Sequence, residues 1–172
     1  MNENDTLDVL DLFDIINGTA EHPVEETGGV RLTRPECGWS TLHVGDVPGI
    51  TLSYIQDVPA DIVNVARMWA DPESGDAAIE FDGEGVYTTL LLRAGDATAG
   101  IVYDDGVTID TGVPSKIVLL RIIDDMLSDV RTWADWRELV NYDDPARKDA
   151  IDEAARRLYD ELIDARRTVR AA

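Results

Sequence analysis

The chain has very little basic charge and almost no lysine. Fifteen lysines and arginines stand against 35 aspartates and glutamates, a formal net of −20 in 172 residues, and Lys116 and Lys148 are the only lysines. A field of that sign repels phosphate backbones and anionic lipid, which sets nucleic acid and membrane surfaces aside as partners. One cysteine, Cys37, allows no internal disulfide and fits a reducing compartment. No run approaches the roughly eighteen apolar residues a membrane span needs. The first residues, MNENDTLDVLDLFD, lack the basic-then-apolar order of a secretory signal. The expectation is a cytoplasmic protein.

Signatures of chemistry are also scarce. Cys37 and His43 are the one conceivable thiol–imidazole pair, and Glu36 beside Cys37 opposes thiolate formation, so Cys37 is expected to be a small buried or half-buried residue. One cysteine with His22 and His43 gives no zinc spacing, and the acidic turns around Asp82–Gly83 and Asp104–Gly106 lack the oxygen ligands of a calcium loop. No phosphate loop, nucleophile elbow or dinucleotide fingerprint is present. No catalytic residue, metal site or cofactor is assigned.

What is present is strong periodicity. The stretch Pro114–Val140 reads as one long helix with Leu119, Ile123, Met126, Leu127, Val130 and Trp133 on a single stripe. Its first turn, Ile117–Leu120, is apolar all round and predicts deep burial, and Ser115 is placed to cap free N–H groups. A second helix follows the break at Tyr142–Pro145 and runs to about Arg170. Its stripe of Ile151, Ala155, Leu158, Leu162, Ala165 and Val169 spaces almost as a heptad seam. Asp152–Arg156 and Glu153–Arg157 are acid-before-base pairs one turn apart.

Residues 5–17 form a third periodic stretch, with Val9, Leu12, Phe13 and Ile16 on one side and acids on the other; residues 18–29 are a loop. Between 30 and 112 lie three short strands (30–34, 39–45, 50–56) and a helix opened by Asp57 and Pro59, with Ile62, Val65, Ala66 and Trp69 inward. Four more strands follow (78–81, 86–93, 100–103, 107–110). Asp82–Gly83 and Asp105–Gly106 are hairpin turns. Leu90–Leu92 is apolar on both faces, which predicts a central strand covered on both sides. The whole is a single α+β domain over 1–172: an antiparallel sheet of six to seven strands in two blocks, with an inserted helix, an N-terminal helix and a C-terminal helix pair over 115–170.

Function is argued from charge. The favoured reading is a non-catalytic acidic protein-binding module, of adaptor, chaperone, immunity or inhibitor type, acting on a basic protein. Its candidate contacts are Asp8, Asp11 and Asp14 on the first helix, Asp104 and Asp105 in a hairpin turn, and Trp136. That indole lies about 100° off the long helix's stripe, so it is either covered by the last helix or presented to a partner. The alternatives are a structural subunit of a homo-oligomer or viral assembly using the seam of the C-terminal helix, and an enzyme using carboxylates or Cys37. General salt adaptation is a further source of such acidity that implies no partner.

Overall fold

The first strand of the described chain lies at an open sheet edge, and a helix closes over it. A computed structural model of the protein describes residues 29–137 and 146–172. The expected helix 5–17, with Asp8, Asp11 and Asp14, lies outside them, as do all but the last residue of the loop 18–29. Strands β1 (Val30–Leu32), β2 (Trp39–Val44) and β3 (Ile50–Ser53) form one antiparallel meander. Helix α1 (Val58–Ala70) follows, then a second meander of β4 (Ala77–Asp82), β5 (Tyr87–Leu92), β6 (Thr98–Tyr103) and β7 (Thr108–Pro114). Helices α2 (Ser115–Ser128), α3 (Val130–Arg137) and α4 (Ala146–Ala171) complete the order. The fold is α+β, and the two blocks are separate sheets of three and four strands.

Local chemistry explains the ends of these elements. Asp57 caps α1 by accepting the N–H of Ala60 at 3.1 Å, with Pro59 in the first turn where no donor is wanted. At the other end the N–H of Glu73 donates to Asp71, which turns the chain out of the helix. β3 ends at Ser53 rather than Gln56, and β7 runs on to Pro114 rather than stopping at Asp110. Gly45, at a positive φ of 58°, sits where the end of β2 meets β7. An added Cβ there would lie 2.5 Å from the Thr111 carbonyl oxygen, so only glycine permits this approach of the two sheets.

One continuous cluster of buried side chains draws on both sheets and all four described helices. Ile62, Val65, Ala66 and Trp69 of α1 are in it, as are all six stripe residues from Leu119 to Trp133. The expected single helix over 114–140 is nevertheless two over its described residues, and the expected break at Tyr142–Pro145 lies outside them. Asp129 leaves helical geometry, with φ −146° and ψ 50°, and ends α2. It then starts α3: its carboxylate accepts the Thr132 hydroxyl at 2.7 Å and its carbonyl accepts the N–H of Trp133 at 3.2 Å. The Ser128 hydroxyl turns back to the Asp125 carbonyl. Short polar side chains that offer the backbone alternative bonds break a helix here while the apolar stripe continues on both sides.

Three further expectations are corrected. Leu91 is only half-buried while Leu90 and Leu92 are fully covered, so β5 is interior to its sheet but covered on one face only. Ile117 is exposed, because α2 turns just Val118 and Leu119 of its first turn inward. Ser115 makes no cap; its buried hydroxyl accepts the N–H of Arg93 at 2.9 Å, tying α2 to the end of β5.

The stripe of α4 packs on α1, α2 and α3. Ala155, Leu158, Leu162, Ala165 and Val169 are buried there, so the seam considered for contact between copies is occupied by the chain's own helices. Glu153 and Arg157 pair as expected at 2.9 Å, whereas Asp152 pairs with Arg131 of α3 instead of Arg156. Arg166 reaches Asp124 of α2 at 2.7 Å, and Arg67 reaches Asp164 at 3.3 Å.

Candidate functional site

Two tight turns project from the same end of the four-stranded meander, because β4→β5 and β6→β7 both reverse there. The first is closed by the N–H of Gly83 on the Val86 carbonyl at 2.9 Å, and Asp82 accepts the N–H of Gly85 at 3.0 Å. The second is closed by Tyr103 N–H on the Val107 carbonyl at 2.9 Å, with Asp105 accepting the Val107 N–H at 3.0 Å. Aspartate is suited to this because its short carboxylate folds back on an amide two or three residues ahead. Asp104 links the turns by accepting the N–H of Tyr87 at 2.9 Å. Asp104 and Asp105 are thus brought together as the sequence requires, both exposed and each with one oxygen engaged by backbone.

Beside these acids stand apolar side chains that periodicity did not mark. Val86 is 63% exposed, Val107 49%, Tyr87 42% and Ile109 36%. Glu84, in a left-handed conformation at φ 58°, accepts the Ser53 hydroxyl at 3.1 Å and adds a further carboxylate to the same end. This end of the sheet therefore carries exposed apolar side chains on both faces, Tyr87 on the outer and Val107 and Ile109 on the inner, with Asp82, Glu84, Asp104 and Asp105 in and beside the turns, the chemistry of a surface that meets basic and apolar groups together. Ile109 lies opposite Ile101 in register and so belongs to the inward row of the sheet. Its exposure follows from its place on the edge strand, which no pattern within the sequence reveals.

Trp136 is placed differently from Asp104 and Asp105. It is 4% exposed, packs against Trp133 with ring centroids 5.4 Å apart, and donates its indole N–H to the Gln56 carbonyl at 3.0 Å. Intramolecular cover is the alternative realised, and the indole is not presented to a partner. Its consequence lies at Gln56, whose side-chain amide bonds the outer edge of β4.

Cys37 is exposed rather than buried, in a turn at a positive φ of 50°. His43 lies near the far end of β2, about 13 Å of strand away, so the two are not brought together. On the outer face of the second sheet, Asp110 is held below its ordinary range by the Gly112 amide first, then by the Thr98 hydroxyl and Arg93. Arg93 also donates to the Thr98 carbonyl at 2.7 Å, and the group ties β5, β6 and β7 together. Among the described residues no three histidines, cysteines or carboxylates are grouped to hold a metal ion, and no helix is long and apolar enough to cross a membrane. Compared with protein-family models, with curated proteins and with solved structures, the chain finds no match.

Proposed function

We propose that the protein is a non-catalytic, acidic protein-binding module, of adaptor, chaperone, immunity or inhibitor type, whose partner is a basic protein. The observation that carries this reading is the hairpin end of the second sheet. There Val86, Tyr87, Val107 and Ile109 stand exposed at the same end of the sheet as Asp82, Glu84, Asp104 and Asp105, with the tip of the two turns joining its faces. The net charge of −20 extends the same field over the molecule and would steer a cationic partner toward it. Apolar contact then holds what charge has attracted, because burial of those side chains is insensitive to salt while the surrounding ion pairs are screened.

The test is association kinetics with partners captured from the source cell at low salt. Asp104→Asn with Asp105→Asn keeps both turn acceptors and removes two charges, so folding is preserved. Association should slow several-fold and its salt dependence should flatten, with dissociation little changed. Val107→Ser should act oppositely, on dissociation. Captured partners that are acidic, or whose binding ignores both changes, overturn the reading.

A further inference from the structure

β4 is an outermost strand of the second sheet, and a sheet edge left open is a template for another strand. Alternation of antiparallel pairing turns the backbone groups of Ala78, Glu80 and Asp82 away from β5. Two of these groups are satisfied by one side chain. Gln56 donates its amide N–H to the Glu80 carbonyl at 2.7 Å and accepts the Asp82 N–H at 3.1 Å. It stands where a neighbouring strand's peptide group would stand, and the Trp136 indole fixes its main chain. Gln56 therefore mimics a single residue of an added strand and stops there. The amide and carbonyl of Ala78, the amide of Glu80 and the carbonyl of Asp82 take no bond from it.

Along that remaining edge runs an open groove of about 260 Å³ between β4 and α1, lined by Gln56, Asp61, Asn64, Met68, Ala78 and Glu80 with Val65 and Ile79 at its base. Its only ionisable lining groups are the carboxylates of Asp61 and Glu80. Met68 hangs over it 52% exposed, an unbranched and adaptable apolar side chain. The groove thus offers backbone donors and acceptors in strand register, one apolar contact and negative charge alone.

We propose that this groove binds a short extended segment of a basic protein, which adds beside Ala78–Glu80 as a further strand and places lysine or arginine side chains against Asp61 and Glu80. The proposal rests on the reading above that the partner is basic, and it adds a second contact remote from the hairpin turns. Main-chain bonds supply attachment, and the alternate side chains supply selection, one set toward Met68 and Asp61 of α1 and the other toward Glu80. The inserted segment continues the strand that Gln56 begins.

The experiment uses the full chain and three blocked eight-residue peptides: alternating lysine and valine, the same with glutamate for lysine, and the lysine peptide with proline at alternate positions. Binding is measured at 50 mM salt together with hydrogen exchange at the amides of Ala78 and Glu80. The lysine peptide should bind and slow exchange at both amides. Met68→Arg, an exposed change whose folding is checked by its melting curve, should weaken binding at least tenfold, and the proline peptide should not protect the edge. Failure of the lysine peptide to bind, or binding without protection of Ala78, overturns the groove while leaving the hairpin surface standing. Equal binding and protection by the glutamate peptide overturns the basic-partner reading at this site and leaves the edge as a charge-indifferent strand acceptor.

Discussion

Asp125 of α2 accepts the main-chain N–H of Leu32 in β1 at 2.7 Å, so a helix side chain closes the open edge of the first sheet. Burial pushes this carboxyl above its ordinary value of 3.8, against the opposing pull of the Leu32 amide and of Arg121. An acid raised in the folded state favours folding most when protonated. That contribution is present below 3.8 and is lost as pH rises through the folded value. Asp125→Asn keeps an acceptor for Leu32 and removes the titration. Its stability relative to the parent should therefore increase between acid and neutral pH, measured by urea unfolding across that range. Asp125→Ala leaves the amide unsatisfied and should cost about 1 kcal/mol even at low pH. A pH-independent difference for the asparagine variant would show that the carboxylate is not penalised by burial.

Asp129 joins two helices and holds Arg34 at 2.6 Å. The two roles separate by substitution. Asp129→Asn retains an acceptor for the Thr132 hydroxyl and loses only an ion pair whose arginine is largely exposed, so it should cost well under about 1 kcal/mol. Asp129→Ala loses the Thr132 hydroxyl bond as well and should cost about 1 kcal/mol more in chemical denaturation. Equal losses would mean that the ion pair, not the bond to Thr132, holds the break.

Val130 begins α3 and is fully buried. Val130→Ala leaves a small cavity and should cost about 2 kcal/mol. Val130→Asp buries a charge without a partner and should abolish cooperative unfolding, as followed by circular dichroism. A Val130→Asp protein that melts within a degree or two of the parent would mean that this side chain faces water.

What could be read before folding was whatever depends on neighbours close in sequence. The stripes of α1 and of Leu119–Trp133 follow from a 3.6-residue period, and the Asp–Gly turns from local backbone preference, and these stand in the structure. Leu91 and Ile117 were misplaced because apolar character says that a residue can be buried, not that another element lies above it. Asp129 carried a legible signal, an aspartate three residues before Thr132, but the unbroken apolar stripe outweighed it. The place of Asp104 and Asp105 in a hairpin turn is legible from the Asp105–Gly106 pair. The exposure of Val86, Tyr87 and Ile109 is not legible in the sequence, since it depends on which strand is the edge and which face of the sheet is covered. Gln56 left no trace at all, because its partners on β4 are more than twenty residues away.

Helix α4 rests on α1, α2 and α3 together, and its buried face runs from Ala154 to Val169. A ribosome delivers those three helices before it delivers α4, and during that interval each carries an uncovered greasy flank. Both meanders can pair their strands early, since every hairpin is local in sequence. Closure of the helical side has to wait. The species most exposed to association is therefore the nascent chain with paired hairpins and uncovered helices, and mutual repulsion between chains of such negative charge opposes that association.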